Sequence, residues 1–365
     1  MKQITTILAI LVGFTMSAQL SSVTENSKTG QRLTGSIAAN HGDIGSNAVD
    51  LSYSNSVSTT RGATGTASTA MGFNTTASGP YSTALGKSNT ASAYASVAMG
   101  EQNTASGSRA FAMGYYNNIA SGENSVAIGY QTTASGSSSV AMGSTTTASA
   151  NYSTAIGYKT TASGKNSFAI GEETTASDFG SLTIGSYNLV NSTVATGHNA
   201  NNYDTDNAAF VIGNGYEDYS DWMNPITVNS DAFVVYFNGN ATLSGDLTIN
   251  SDERLKDNIQ PLGSTLNKLH QIEGKTYSLK KDEEHTPKIG VLAQEVQAVF
   301  PELVTEGGDG ILSVNYQGLV PVLINAINEQ DIKIAALEAQ NAEIKEMVRL
   351  LALKQSKTSP GVAAN

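Results

Sequence analysis

Few residues in this sequence have the types and spacing that chemistry needs. There is no cysteine in the 365 residues, so disulfides, thiolate nucleophiles and cysteine-held zinc are excluded. The histidines His41, His198, His270 and His285 are scattered along the chain and read as exposed or structural. The Gly-Gly-x-Gly-x-Asp signature of calcium-binding repeats is absent. No metal and no other cofactor is expected. One short segment sets a hydroxyl, carboxylates and an amine side by side: Ser251-Asp252-Glu253-Arg254-Leu255-Lys256-Asp257-Asn258-Ile259. Taken alone it is a weak signal, because Ser or Asp before a helix is usually an N-cap and a lysine such as Lys256 is usually solvated.

The chain around that segment is not composed like a packed globule. Glycine numbers 35, charged residues are 14% and aromatics 7%, which points to a repetitive or extended architecture. The net charge of -11 offers no basic patch to replace counterions on nucleic acid, so no nucleic-acid partner is expected. The first residues read as a leader, 1–18: Lys2, the apolar run Ile7 to Phe14, then Met16-Ser17-Ala18, with cleavage expected before Gln19. That run is too short to span a bilayer, and no later stretch qualifies. The expectation is a secreted or cell-surface chain without a membrane-spanning segment.

Internal repeats dominate the middle of the chain. A small-aliphatic-Gly motif ends at Gly72, Gly86, Gly100, Gly114, Gly129, Gly143, Gly157, Gly171 and Gly185, spaced by 14 residues with one interval of 15 between Gly114 and Gly129. A Thr-Ala-Ser slot lies between successive glycines, as in Thr133-Ala134-Ser135, and becomes Ile119-Ala120-Ser121 in the 15-residue repeat. Fourteen residues suit two short strands and two tight turns, one coil of a β-solenoid. Strand alternation puts Val126 and Ile128 on one face and Ser125 and Ala127 on the other. The small set is expected inside a narrow coil and the larger set against a partner chain. Glycine is expected to close each corner, where a positive φ is cheap. The row Thr75, Thr132, Thr146, Thr160 and Thr174, interrupted by Asn89, Asn103 and Asn118, is expected to be solvated strand threonine rather than an ice-binding face.

These Ser-x-Ala-aliphatic-Gly and Thr-Ala-Ser-Gly repeats resemble the head of trimeric autotransporter adhesins over residues 55–200. The resemblance implies a mainly β fold, a left-handed parallel β-roll in a tight homotrimer. Such adhesins end in a membrane-embedded barrel, and none is expected in this sequence. Residues 19–54 form a lead-in and 201–250 a connector. In the connector, Ala208 to Gly213 reads as a last degenerate coil, and Asp231 to Phe237, Ala241 to Leu243 and Asp246 to Ile249 as strands around an Asn238-Gly239 hairpin turn. Tyr203, Tyr216, Tyr219 and Trp222 are expected to cap the solenoid.

Glycine falls and Lys, Glu and Leu rise after Ser251. The Ser-Asp-x-Arg-Leu-Lys junction, Gly290-Val291-Leu292-Ala293-Gln294-Glu295, Phe300-Pro301-Glu302, Ser313-Val314-Asn315-Tyr316 and Leu319-Val320-Pro321 together resemble the intramolecular chaperone of phage tail spikes and endosialidases. The match covers 251–330 in full motif order. It implies a domain that trimerises, guides folding and cuts itself off, with Ser251 as nucleophile, Lys256 as general base and Asn250–Ser251 as the scissile bond. A serine hydroxyl needs a base, and a lysine serves only where burial or neighbouring cations favour its neutral form; trimer docking is expected to create that setting. From Val320, apolar residues at alternating three and four spacing (Leu323, Ile327, Ile334, Leu337, Ile344, Val348, Leu351, with polar Gln330 and Asn341 in the seam) make 320–355 a coiled coil, before a disordered tail at 356–365. By residue type that seam leans to a dimer; the resemblance implies a trimer.

The function expected is a secreted or cell-surface trimeric fibre, adhesin-like, matured by single-turnover autoproteolysis in cis. Its partners are its own copies and an unidentified surface receptor or matrix ligand. A phage tail-fibre component, or an uncleaved structural fibre, is the alternative. A peptidase acting on other proteins has no supporting cleft signature.

Overall fold

A computed structural model of the chain describes residues 20–189, 199–280 and 285–358. The expected leader, His198 and residues 359–365 of the tail lie outside the described residues. The chain divides into two compact units, 1–248 and 249–365.

The first unit is a β-solenoid. Each coil contributes a five-residue strand such as Val126–Tyr130 and a two-residue strand such as Thr133–Ala134. The long strands stack in parallel from Val49–Tyr53 through Leu182–Ser186, and the short ones from Gly62–Ala63 through Thr175–Ala176. Identical residues face one another from coil to coil, Ala112 on Ala127 on Ala141 and Gly114 on Gly129 on Gly143. The 15-residue repeat spends its extra residue at a corner, where Tyr116 and Asn117 both turn left-handed with φ of 61° and 57°. The strands beyond that corner stay in register, Ile119 on Thr133.

The interior is as small as the alternation predicts. Two alanine columns, Ala70 through Ala169 on the long strands and Ala77 through Ala176 on the short, are fully buried. Their neighbours Val126 and Ile128 stand half-exposed on the outer face. Two expectations about the coil need correction. The threonine row is not solvated: Thr75, Thr132, Thr146, Thr160 and Thr174 are fully buried, as are Asn89, Asn103 and Asn118 in the same slot. The slot points inward because it lies one residue before the short strand, on the same side as the alanine two residues on. The asparagines form a ladder. Asn103 Nδ2 donates to the carbonyls of Met99 and Gly114 at 2.6 and 2.8 Å, and its Oδ1 accepts from Asn118 Nδ2 at 2.7 Å. At the ladder's end, Thr132 Oγ1 donates to Asn118 Oδ1 at 2.7 Å.

The repeat glycines are not the corners either. Each sits inside a long strand, and the left-handed corner falls two residues later, at Asn74, Ser88, Gln102, Gln131, Thr145, Lys159, Glu173 and Tyr187. Glycine is required for close approach. A Cβ on Gly157 would stand 2.9 Å from the Gly171 carbonyl carbon, and nearer still to its oxygen, at a backbone φ of 134°.

Both ends of the ladder are closed. At the N-terminal end the hairpin Leu20–Glu25 and Lys28–Leu33 adds onto Val49–Tyr53. Beneath it Arg32 reaches Glu25 at 2.8 Å and Asp50 at 3.4 Å, while His41 Nδ1 lies 3.0 Å from Asp50 Oδ2. At the C-terminal end Ala208–Asn214 continues the parallel ladder as the expected last coil. Asp231–Tyr236 and Ala241–Leu243 then turn it antiparallel through the Asn238-Gly239 hairpin. Residues 246–249 do not form the strand expected of them. Nor do the aromatics form one cap. Tyr203 packs on Phe237 with centroids 5.2 Å apart, whereas Tyr216, Tyr219 and Trp222 stand exposed on a separate hairpin, Tyr216–Asp218 with Ile226–Val228. The short-strand ladder is capped instead by Asn188, whose side-chain amide accepts from Thr175 N at 2.7 Å and donates to its carbonyl at 3.0 Å.

The second unit is α+β. A short helix α1 (Leu266–Leu269), a helix α2 (Ala293–Val299) and the start of a long helix α3 (Leu319–Thr358) surround a small core. Val296, Val299, Phe300 and Val322 form that core, with Leu269, Ile272, Val291, Leu303, Val304 and Val314 packed on it. Glu329 of α3 ties α1 down, accepting from Thr265 N at 2.6 Å and Ser264 Oγ at 2.9 Å. Pro321 falls in the first turn of α3, where no N–H bond is lost. Beyond the core the helix is exposed, including the seam residues Leu323, Ile327, Ile334, Leu337, Ile344, Val348 and Leu351.

Candidate functional site

The second unit opens with the Ser251 to Lys256 segment. Asp252 has an extended backbone, and its Oδ1 accepts from Arg254 N at 2.9 Å, which starts a 3-10 turn over Glu253–Leu255. The turn is closed by Leu255 N to the Asp252 carbonyl at 3.1 Å and Lys256 N to the Glu253 carbonyl at 3.0 Å. A turn of three residues reverses the chain and brings side chains five apart onto one side. Lys256 Nζ accordingly donates to Ser251 Oγ at 2.7 Å. The sequence reading of this stretch as an N-cap holds for Asp252, which caps a 3-10 turn and not an α-helix.

Asp252 and Arg254 were legible only as flanking charges. In the structure they shape the turn: the guanidinium grips the carboxylate through Nε at 3.0 Å and Nη2 at 2.7 Å. Those bonds hold the Asp252 carboxyl below the usual carboxylate range. The acid-x-base spacing was the available signal, since a carboxylate two residues before an arginine suits such a fork. Asn250, Ser251 and Lys256 are all solvent-exposed in the single chain. His270 and His285 are exposed as well and His41 is buried among Arg32 and Asp50, so none joins the serine. Among the described residues no three His, Asp or Glu side chains converge to hold a metal, and no helix is long and apolar enough to cross a membrane.

Two further surfaces lack a covering. The outer face of the long-strand sheet carries half-exposed Phe111, Met113, Val126, Ile128, Ile156, Phe168 and Ile170 in adjacent coils. The seam of α3 is the other.

Comparison with known proteins agrees with this division. The YadA head domain repeat matches at 63–89, 91–117, 120–146, 134–160, 148–174 and 162–186. The family described as chaperone of endosialidase matches at 251–305. Among curated proteins, the long tail fiber protein Gp37 of Salmonella phage S16 is 32% identical over 133 residues, which is 34% of this chain and 18% of that protein. Gp37 of Escherichia phage AR1 is 39% identical over 97 residues, covering 24% of this chain and 9% of that protein. A probable tail fiber protein of Escherichia phage Phieco32 is 36% identical over 99 residues, 26% of this chain and 14% of that protein. The chain thus spans less than a fifth of each of these relatives. It carries YadA-type head repeats followed by a chaperone-of-endosialidase domain, with sequence similarity to phage long tail fibres.

Proposed function

We propose that this chain forms a surface-exposed, tail-fibre-like homotrimer whose C-terminal unit guides assembly and then cuts itself off at Asn250–Ser251. The observation that carries the proposal is the contact of Lys256 Nζ with Ser251 Oγ at the first residues of the chaperone match. The reading that a tail-fibre-like protein is meant, rather than a membrane-anchored adhesin, draws on the similarity to tail fibres. Secretion through a leader at 1–18 is part of the proposal.

The chemistry comes from the pair. Lys256 in its neutral form takes the Ser251 hydroxyl proton, and Oγ attacks the Asn250 carbonyl carbon. The C–N bond breaks, the proton passes to the leaving α-amine of Ser251, and Asn250 is left as an ester on Oγ. Water then hydrolyses the ester, giving an Asn250 carboxylate and restoring the hydroxyl. The exposed position of both residues in one chain is a reason for the step to wait for assembly, since covering the pair excludes water and favours an uncharged amine.

Assembly has its own support. A narrow alanine-filled coil buries little apolar surface, and each half-exposed Ile or Phe of the outer face would gain roughly 1–2 kcal/mol on burial by a partner. The exposed α3 seam asks for partners in the same way. Light scattering of the purified protein tests this. Three chains per particle are expected, falling to one when Leu323, Ile334 and Leu337 are replaced by Asp. A monomeric wild-type protein would remove the basis of the proposal.

A further inference from the structure

Where the ladder turns antiparallel, a cavity of about 250 Å³ opens beside the hairpin of Tyr216–Asp218 and Ile226–Val228. Its walls include Tyr187, Tyr216 and Tyr219, with the carboxylates of Glu172 and Glu217. Nothing in the fibre or chaperone reading uses it.

The frame of this cavity is rigid. Tyr187 occupies the left-handed corner with φ of 42° and is 5% exposed. Its backbone is pinned on both sides, N to the Glu172 carbonyl at 3.0 Å and carbonyl to Ser230 N at 2.9 Å. Gly215 packs against that backbone, bonded through its N to the Ser186 carbonyl at 3.0 Å and through its carbonyl to Ser186 Oγ at 2.8 Å. Tyr187 and Tyr219 both point hydroxyls at Glu217. The hydroxyls therefore fix Glu217 in place without neutralising it.

The charge is one-sided. The Glu172 carboxylate has no hydrogen bond or ion pair among the described residues. The hairpin stretch 214–228 contains Glu217, Asp218 and Asp221 and no lysine or arginine. The Lys159 ammonium, which also acts electrostatically on Glu217 and Tyr219, is already engaged by Glu173 and lies over the Tyr158 ring at 5.2 Å. That resident lysine shows what such a pairing of one carboxylate and one tyrosine face holds. The cavity repeats the pairing with two carboxylates and three tyrosines, and no lysine or arginine is among its lining residues. Burial, together with Glu173, Glu217 and Glu172, pushes the Tyr187 hydroxyl up to about 12, consistent with a negative potential at the cavity.

We propose that this cavity binds a small organic cation, an ammonium group on a compact apolar or sugar body, between the tyrosine faces and the Glu172 and Glu217 carboxylates. A ring face attracts a cation through its quadrupole and also accepts the C–H groups next to it. A cavity of about 250 Å³ suits a choline-sized or single-sugar group and not a longer chain.

Calorimetric titration of the full-length protein at low ionic strength tests this with choline, glucosamine and uncharged N-acetylglucosamine. Saturable binding of choline or glucosamine is expected, with N-acetylglucosamine at least about ten-fold weaker. Preference for choline assigns a quaternary headgroup as the source of the ammonium, and preference for glucosamine assigns an amino sugar. Glu217→Gln and Glu172→Gln each weaken binding about ten-fold, and Tyr216→Ala does so without any change of charge. Glu123→Gln, at an exposed ion pair with Arg109 elsewhere on the shaft, leaves binding unchanged. Far-ultraviolet circular dichroism checks that each variant keeps its fold. No saturable heat from either ammonium, binding of N-acetylglucosamine as tight as that of glucosamine, or full binding in the Glu172→Gln/Glu217→Gln double variant would overturn the proposal.

Discussion

Replacing Gly157 by alanine probes the packing rule of the shaft directly. Gly157 has no corner to make, yet its φ of 134° is one that side-chain-bearing residues rarely adopt. An added Cβ would press on the Gly171 carbonyl of the next coil, 2.9 Å from its carbon and closer to its oxygen. Backbone strain of this kind costs about 1–3 kcal/mol, and overpacking a close-fitted contact about 1–3 kcal/mol more. The coils cannot part locally, because each is bonded on both sides to its neighbours. A loss near 4 kcal/mol lowers the melting temperature of a unit this size by roughly 10 °C, at about 2–4 °C per kcal/mol. The assay is thermal unfolding of the full-length protein followed by circular dichroism of the β signal. Thr145→Asn serves as the opposite-sign companion, since Thr145 is the exposed corner residue with φ of 56°. Asparagine tolerates that region better than a β-branched residue, so this variant should match or slightly exceed the wild type. A Gly157→Ala protein melting within about 2 °C of wild type would mean that close approach is not what selects the repeat glycines.

Other expectations concern the ladder, the N-terminal cap and the second unit. Asn103→Ala removes the donor to two carbonyls and the acceptor for Asn118; at about 1–3 kcal/mol per buried group left unpaired, it should destabilise the shaft clearly, and an unchanged melting curve would count against the ladder. Thr146→Asn should be milder than that change, because Thr146 Oγ1 is buried without a partner and loses no hydrogen bond. Burial works to raise the Asp50 and Glu25 carboxyls. Bonds from His41 and Ser52 to Asp50, and from Arg32 and the Ile44 amide to Glu25, outweigh it and hold both low. Their stabilisation is therefore present above the ordinary carboxylate range, about pH 4, and lost as pH falls through the lower folded values. Amide-exchange protection of Lys28–Leu33, corrected for intrinsic rates, should persist down to about pH 4; loss already at neutral pH would refute the assignment. Thr265→Ala, which leaves residue 265 bonded to Glu329 through its backbone N alone while Ser264 Oγ keeps its bond, should cost about 1 kcal/mol and loosen α1 before α3, as read by exchange mass spectrometry.

The solenoid was legible because its period is written in residues that repeat. Alternation placed Ala127 inside and Val126 outside without any long-range information, and the 15-residue repeat could be assigned to a corner. Which residue takes the corner was not legible. Gln131, Thr145 and Lys159 share no residue type, since a left-handed corner only tolerates them, whereas the close approach at Gly157 demands glycine. The buried threonine row was misread for a related reason. A short polar side chain looks solvated in sequence, and its burial depends on where the two-residue strand begins. In the second unit only the resemblance to the tail-spike chaperones implied that Ser251 and Lys256 belong together. The means of bringing them together, the Asp252–Arg254 fork and its 3-10 turn, depends on side-chain geometry that spacing alone does not reveal. The scatter of Tyr203 and Trp222 to different surfaces comes from the register of hairpins, which local patterns do not fix.

Assembly is proposed to lead to cleavage between Asn250 and Ser251. Intact-mass spectrometry of the purified full-length protein measures it directly. A fragment beginning at Ser251 is expected in the wild type, with the complementary fragment ending at Asn250, and uncut chains in Ser251→Ala and Lys256→Ala that still assemble. Wild-type trimers built wholly of uncut chains, or the same cut in Ser251→Ala, would contradict it.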